Sequence, residues 1–375
     1  MISTLQEKAK NLLENYGGLP SRKEIDKWID EIEKSLEKEE LPLLYSGYNL
    51  QTPGVVAISF RAFSSYTYDR ALTVDFSNVL YNTFSISKVR VCGIEDEKTV
   101  VFKVPYGKDG GALGLLTLLT DEWLNDKNAK LTLPIGMGSA PFYYEISKMP
   151  HLAVCGGTGT GKSVFTHSIL ISLAIKYTPD EVKFALCDPK MVEYTQYEGL
   201  PHLYSEVVTE TPAFIELLEK LNNEINNRFD VFSTCDCFNI DDYNKKAKQL
   251  GNKPFAKIIF LCDELADFVY NDFRAEMLLK NLMKRCRAVG IYVVAISQEL
   301  GLENDLLELF PCRIAFKMFS ANSCYNFIKS RTPLTLNSRG EMVFVDNTYG
   351  ETVLQGSYVS VKEIDKILSL LKETY

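Results

Sequence analysis

The chain has 375 residues, a hydrophobic share of 46% and a formal net charge of −8 from 41 basic and 49 acidic residues. That length supports a buried core divided into two or three units, and the acidic balance excludes a protein coated with basic residues for nucleic acid, though not a local basic groove. The longest apolar stretches, such as Gly111 to Thr120, fall short of the roughly 20 residues a membrane helix needs, and Met1 opens a polar helix in place of a signal peptide, so no membrane span and a cytoplasmic location are expected.

Two amphipathic helices come first, with Thr4/Glu7 and Ser21/Glu24 at capping-box spacing. Their stripes, Leu5, Ala9, Leu12 and Ile25, Trp28, Ile29, Ile32, Leu36, read as packing faces more readily than as partner-docking faces. They define an N-terminal helical segment over residues 1–50. From Gly54 the pattern becomes strand (Val55 to Phe63), helix (around Asp69 to Tyr81) and two strands (Val89 to Ile94, Thr99 to Tyr106). A turn at Gly107 to Gly111 and a helix over Ala112 to Leu124 complete a small α+β domain, residues 51–133. Leu133 to Ser139, with two glycines and a proline, reads as the linker to a third domain, residues 134–375.

In that domain the apolar runs His151 to Cys155, Val182 to Cys187, Lys257 to Cys262, Ile291 to Ile296 and Arg313 to Phe316 alternate with helical segments. One of these segments is Pro212 to Phe232, entered through Thr211 and Pro212. This alternation predicts an α/β fold with a parallel sheet. Several of the nine cysteines lie in these runs (Cys155, Cys187, Cys262) and act as small hydrophobes. Cys235 and Cys237 lack a second ligand pair and a nearby histidine, so the sequence argues against a zinc site there.

The chemistry concentrates at two strand ends. Gly156, Gly157, Thr158, Gly159, Thr160, Gly161, Lys162 and Ser163 form G-x-x-x-x-G-K-[ST] between an apolar strand and a helix that continues with Val164. Such a loop points backbone N–H groups at phosphates, and the helix N-terminus adds partial positive charge. Lys162 would reach the β and γ phosphates of ATP, and Ser163 would supply an oxygen to Mg²⁺. The second strand end, Ile258 to Cys262 followed by Asp263 and Glu264, delivers one carboxylate to the metal and a neighbour that can activate water. Gln298, after the fourth apolar run, is placed to sense the γ-phosphate, and Arg285 and Arg287 are candidates for the extra positive charge that phosphoryl transfer needs.

These motifs, with Met149-Pro150-His151-Leu152, Cys187-Asp188-Pro189-Lys190-Met191, Tyr197-Glu198-Gly199-Leu200-Pro201-His202-Leu203, Asp263-Glu264-Leu265-Ala266-Asp267 and Arg287-Ala288-Val289-Gly290-Ile291, resemble the FtsK/SpoIIIE family of double-stranded DNA translocases from about Pro53 to Gly350. The resemblance implies a RecA-like P-loop motor that hydrolyses ATP and encircles DNA as a hexameric ring, with Arg287 at the position of the family's trans-acting arginine. It also implies a small domain before the motor.

No winged-helix domain and no membrane helices are read in the chain, and the stretch from Asn244 to Lys257 is shorter than usual for the family. Where the family carries basic residues toward DNA, this sequence has Glu299, Ala321 and Tyr325; Lys317, Lys329, Arg331 and Arg339 lie in the acid-free stretch Cys312 to Gly340 and are the candidate DNA contacts. The expected function is an ATP-driven double-stranded DNA translocase, in DNA transfer of a mobile element. The alternative is a conjugative coupling or secretion ATPase that engages a relaxase or exported protein.

Overall fold

The computed structural model describes residues 2–14, 16, 20–52, 55–74, 76, 89–94, 98–105, 113–126, 130–138, 140–148, 150–270, 272–298, 304–336, 340–346, 348 and 350–375. They form two compact units. The larger comprises Met1–Leu13, Leu118–Gly136 and Phe142–Tyr375, the smaller Glu14–Thr117 with Met137–Pro141. The two N-terminal helices are divided between them: α1 (Ile2–Leu12) belongs to the larger unit and α2 (Arg22–Lys38) to the smaller, so they do not make a segment of their own.

In the smaller unit, the Ser21 hydroxyl accepts the Glu24 amide while the Glu24 carboxylate accepts the Ser21 amide at 2.8 Å, which satisfies orphan donors at the start of α2. The helix buries Ile25, Trp28, Ile29, Ile32 and Leu36. Its partner is an antiparallel sheet of β1 (Leu43–Thr52), β2 (Val55–Ala62), β3 (Arg90–Ile94) and β4 (Thr99–Pro105), ordered β1-β2-β4-β3, with α3 (Ser65–Thr73) following β2. Alternate residues Val56, Ile58, Phe60 and Val100, Phe102, Val104 face the core, where Phe60 and Phe102 meet edge to face at 5.5 Å. β1 precedes the strands expected from Gly54 on, because its tyrosines and glycine blur the alternation. The predicted turn at Gly107 to Gly111 lies outside the described residues.

The predicted helix over Ala112 to Leu124 is instead β5 (Leu113–Gly114), a 3₁₀ turn and α4 (Asp121–Asn125). Thr120 caps α4 by accepting the Trp123 amide at 3.2 Å, which starts the helix only there. Short apolar runs cannot be assigned by periodicity alone, and this one was misread.

The larger unit is built on a nine-stranded sheet. Its strands are β6 (Thr132–Met137), β7 (Pro141–Glu145), β8 (Leu152–Cys155), β9 (Val182–Cys187), β10 (Lys257–Cys262), β11 (Ile291–Ser297), β12 (Cys312–Phe316), β13 (Glu341–Asp346) and β14 (Gly350–Gln355), ordered β7-β6-β14-β13-β12-β8-β11-β10-β9. β12, β8, β11, β10 and β9 are parallel, as predicted, while β13 and β14 continue the sheet antiparallel. The chain ends with β15 (Ser357–Tyr358) and a last helix.

The expected linker Leu133 to Ser139 is mostly β6. Gly136 is there because a side chain would press within 2.6 Å of the Gln355 carbonyl on the neighbouring strand, a close-approach glycine that looked like a loop signal. Covering helices are α5 (Lys162–Lys176), α6 (Thr211–Thr234), α7 (Ile240–Leu250), α8 (Leu265–Val269), α9 (Phe273–Arg285), α10 (Asn304–Leu307), α11 (Ala321–Ile328) and α12 (Val361–Thr374). α5 is buried from Phe165 to Lys176, with Thr166, His167, Ser168 and Ser172 included, so it is covered on every side.

Helix α9 turns into β11 through Gly290, whose φ is +78° and where a side chain would meet Ile240 at 2.5 Å. Gly290→Ala should therefore cost about 1–3 kcal/mol, read as a lower denaturant midpoint. An unchanged midpoint would show that the turn tolerates a side chain.

Candidate functional site

Parallel strands release their following loops at one end of the sheet, and the candidate residues gather at that end. The glycine loop connects β8 to α5. Gly161 enters the helix at φ +115°, open to glycine without strain, and a side chain at Gly157 would lie 2.4 Å from the exposed Phe319 ring, which would have to turn aside. The Lys162 ammonium donates to the carbonyls of Gly156 at 2.6 Å and Gly157 at 3.0 Å, so it lies curled over the loop. Burial lowers its pKa. Thr160 donates to the Gly157 carbonyl at 2.7 Å, and Ser163, in the first turn with Val164, donates to Glu193 at 2.6 Å.

Opposite, Asp263 and Glu264 directly follow β10. Glu264 adopts φ +44°, an uncommon conformation for a side-chain-bearing residue, and is 8% exposed. One carboxylate oxygen accepts from Lys190 at 2.7 Å; the other accepts the Ser297 hydroxyl at 3.2 Å and the Gln298 amide at 3.3 Å. Burial pushes the Glu264 pKa up, but Lys190 and the Gln298 amide outweigh it and leave the group below its ordinary range. Gln298 in turn accepts from Thr158 at 3.0 Å, linking the end of β11 to the glycine loop. Asp263 is pushed up to about 7 by burial, then by the charges of Glu264, Glu193 and Asp188.

In the sequence, Asp188 and Lys190 stand only within the Cys187–Met191 string, with no role assigned, and Glu193 is not singled out. Asp188 directly follows β9 as Asp263 follows β10, and its fully buried carboxylate accepts the amides of Lys190, Glu193 and Tyr194 at 3.2, 2.7 and 3.0 Å. This turn throws Lys190 toward Glu264 and Glu193 toward Ser163. An acid directly after an apolar strand was the available signal.

The remaining candidates lie apart. Arg287 sits before β11, at the opposite end of that strand from Gln298, exposed and donating to the Ser147 carbonyl at 3.2 Å. Arg285 donates to Asn226 at 2.8 Å. Lys329 and Arg331 are exposed around the end of α11, whereas the Lys317 amine donates to the Leu336 carbonyl at 3.1 Å. Glu299 and Arg339 lie outside the described residues. The segment carrying these basic residues is tied to the glycine loop at both ends: Gly157 donates to the Lys317 carbonyl at 2.9 Å, and Gly340 donates to the Thr160 carbonyl at 3.0 Å. No helix among the described residues is long and apolar enough to cross a membrane.

The FtsK/SpoIIIE family profile matches residues 116–323. The DNA translocase SpoIIIE of Bacillus subtilis (strain 168) is 33% identical over 310 residues, 79% of this chain and 39% of that protein. This chain belongs to the FtsK/SpoIIIE family. A second relative, the DNA translocase FtsK of Rickettsia typhi, is 30% identical over 336 residues, 80% of this chain and 45% of its own. The chain thus spans less than half the length of these relatives.

Among solved structures, the pCW3 conjugation coupling protein TcpA, a monomer with ATPγS, matches with a TM-score of 0.61 at 19% identity, over 91% of this chain and 98% of that one. The cytoplasmic domain of the Thermomonospora curvata type VII secretion ATPase EccC matches with a TM-score of 0.57 at 21% identity, over 64% and 31%. Both speak for the fold alone.

Several strings of the FtsK/SpoIIIE resemblance have packing roles in this chain. His151 accepts the Val293 amide at 3.2 Å and donates to the Met283 carbonyl at 3.0 Å, bracing β11 against α9; burial lowers its pKa to about 4, so it stays neutral. His202 is likewise buried, lowered to about 4, and donates to the Tyr177 carbonyl.

Because an unfolded aspartate ionises near 3.8 and Asp263 does so at about 7, the folded chain holds a proton between those values that the unfolded chain has lost. This carboxylate therefore lowers stability as pH rises through that window. Without nucleotide, Asp263→Asn should melt above the parent at pH 8, by ~2–4 °C for each kcal/mol relieved. The gain should shrink toward pH 5; equal midpoints at pH 8 would refute the repulsion.

Proposed function

We propose that this chain is the motor of an ATP-driven double-stranded DNA translocase that works as a hexameric ring. The observation that carries the reading is the convergence of Lys162, Ser163, Asp263, Glu264 and Gln298 at the carboxyl ends of β8, β10 and β11. In this reading, loop amides from Gly156 to Val164 cradle the phosphates, and Lys162 leaves the loop carbonyls to neutralise them.

Ser163 and Asp263 would hold Mg²⁺. The site fits that ion: a hydroxyl and a carboxylate are hard oxygen donors, and a carboxylate raised to about 7 among like charges gains most from a nearby cation. The ion supplies charge neutralisation to the phosphoryl oxygens. Glu264, held by Lys190, Ser297 and the Gln298 amide, takes the proton of the attacking water, and Gln298 reports the γ-phosphate to the glycine loop through Thr158.

Arg287 completes a neighbouring subunit's site. A Glu264→Gln subunit and an Arg287→Ala subunit, each inactive alone, should regain hydrolysis when mixed, because some interfaces then pair two intact residues. Co-assembled mixtures that stay inactive would refute the arrangement.

DNA contact falls to the exposed Lys329 and Arg331, with Lys317 serving the segment's internal structure. The rival substrate is a protein, such as a relaxase or an exported protein. Exposed aromatics favour it: Phe319 and Tyr325 are 73% and 56% exposed where phosphate contacts are needed. ATPase rate with and without linear duplex separates the two. Stimulation is expected. The double substitution Lys329→Ala/Arg331→Ala should lower the logarithmic salt slope of duplex binding by about two and leave the basal rate intact. A parent that neither binds duplex at low salt nor is stimulated by it would transfer the function to the protein substrate.

A further inference from the structure

The turn after β9 puts a carboxylate against the serine of the glycine loop, and nothing in the reading above uses it. Ser163 Oγ donates to Glu193 Oε1 at 2.6 Å. A hydroxyl has one proton and two lone pairs, so committing the proton to Glu193 fixes where the lone pairs point. The bond to a charged acceptor is strong enough to select that rotamer, and it makes the oxygen a better donor to a hard cation.

Glu193 is itself held from three sides. Its amide donates to Asp188 Oδ2 at 2.7 Å, and its Oε2 accepts from His167 Nε2 at 3.2 Å. His167 Nδ1 then accepts the Tyr197 hydroxyl at 2.9 Å, and the two rings stack 8° from parallel with centroids 5.7 Å apart. His167 projects from α5, the helix that carries Ser163, so one hydroxyl and one imidazole of the same helix grip both oxygens of one carboxylate. Burial opposes ionisation of Glu193, yet the His167 and Ser163 bonds hold its pKa below the ordinary range.

We propose that Glu193 is a positioning residue of the nucleotide site: its carboxylate fixes the Ser163 hydroxyl so that the serine oxygen is presented to Mg²⁺. This rests on the reading of the glycine loop as a nucleotide site. Outer residues that orient a metal ligand contribute tenfold to a hundredfold to metal affinity, whereas a residue that merely supports the turn affects nucleotide binding with or without metal.

The test is the affinity of the full chain for a fluorescent ATP analogue, measured with saturating Mg²⁺ and again in EDTA, and a Mn²⁺ titration followed by electron paramagnetic resonance. The parent should bind more tightly with Mg²⁺. Glu193→Gln and Glu193→Ala should lose about 10–100-fold of the affinity for Mn²⁺ and a matching share of Mg²⁺-dependent nucleotide binding. Binding in EDTA should be unchanged or stronger, since a negative charge near the phosphates is gone. Equal losses with and without metal would make Glu193 a structural support, and unaltered metal affinity would remove it from the site; either result overturns the proposal. A parent that binds nucleotide in neither condition overturns the site itself, which is a different result from a binding parent beside an unaffected variant.

Discussion

Four carboxylates, Asp188, Glu193, Asp263 and Glu264, are brought to the carboxyl ends of β9 and β10, and the strain between their charges governs the rest of the site. Each is dealt with differently. Asp188 is wholly buried and turned onto three backbone amides, Glu193 is gripped by Ser163 and His167, and Glu264 by Lys190, Ser297 and the Gln298 amide. Glu193 and Glu264 consequently lie below the usual carboxylate range, while Asp263 is pushed up to about 7. A cation arriving beside Asp263 removes repulsion already present in the folded chain, so part of its binding energy comes from the fold.

The same end of the sheet joins that electrostatic problem to the segment proposed to meet the substrate. The glycine loop donates an amide to the Lys317 carbonyl and accepts one from Gly340, and the exposed Phe319 ring lies against Gly157. Met318 donates to the Pro333 carbonyl and Lys317 to that of Leu336, closing the intervening stretch on itself. These bonds hang the segment from the glycine loop at its two ends and brace it internally.

The parallel-sheet unit was legible where the physical requirement is local. A glycine loop between a strand and a helix, acids after an apolar strand, and long buried strands each carry their cause in consecutive residues, so β8 to β12 and the residues around Lys162 and Asp263 could be read directly. What escaped depends on residues distant in sequence. Gly136 is a glycine because of Gln355, 219 positions later by their numbers, and therefore looked like part of a linker. Glu193 acquires meaning only when the Asp188 turn carries it back to Ser163. Lys317 looked like a surface cation because its acceptor, the Leu336 carbonyl, is a backbone group that no residue pattern announces. In the smaller unit the α2 stripe was clear, but β1 lacks the alternation that would have revealed it.

Arg287 shows how far a single chain can go. It precedes β11, which ends at Ser297 and is followed by Gln298, so the seven residues of that strand lie between Arg287 and Gln298. At about 3.3 Å per residue the strand spans roughly 23 Å, far beyond the reach of an arginine side chain. Arg287 cannot meet the glycine loop of its own chain while the parallel sheet is intact. If it has a part in phosphoryl transfer, the receiving loop belongs to another copy whose β8 and β10 ends face this chain's β11 start. Such a contact joins two different surfaces of identical chains, head to tail, and each added copy repeats the operation with one surface still open at either end. On the proposal that Arg287 serves a neighbouring copy, only a closed ring gives every glycine loop an arginine.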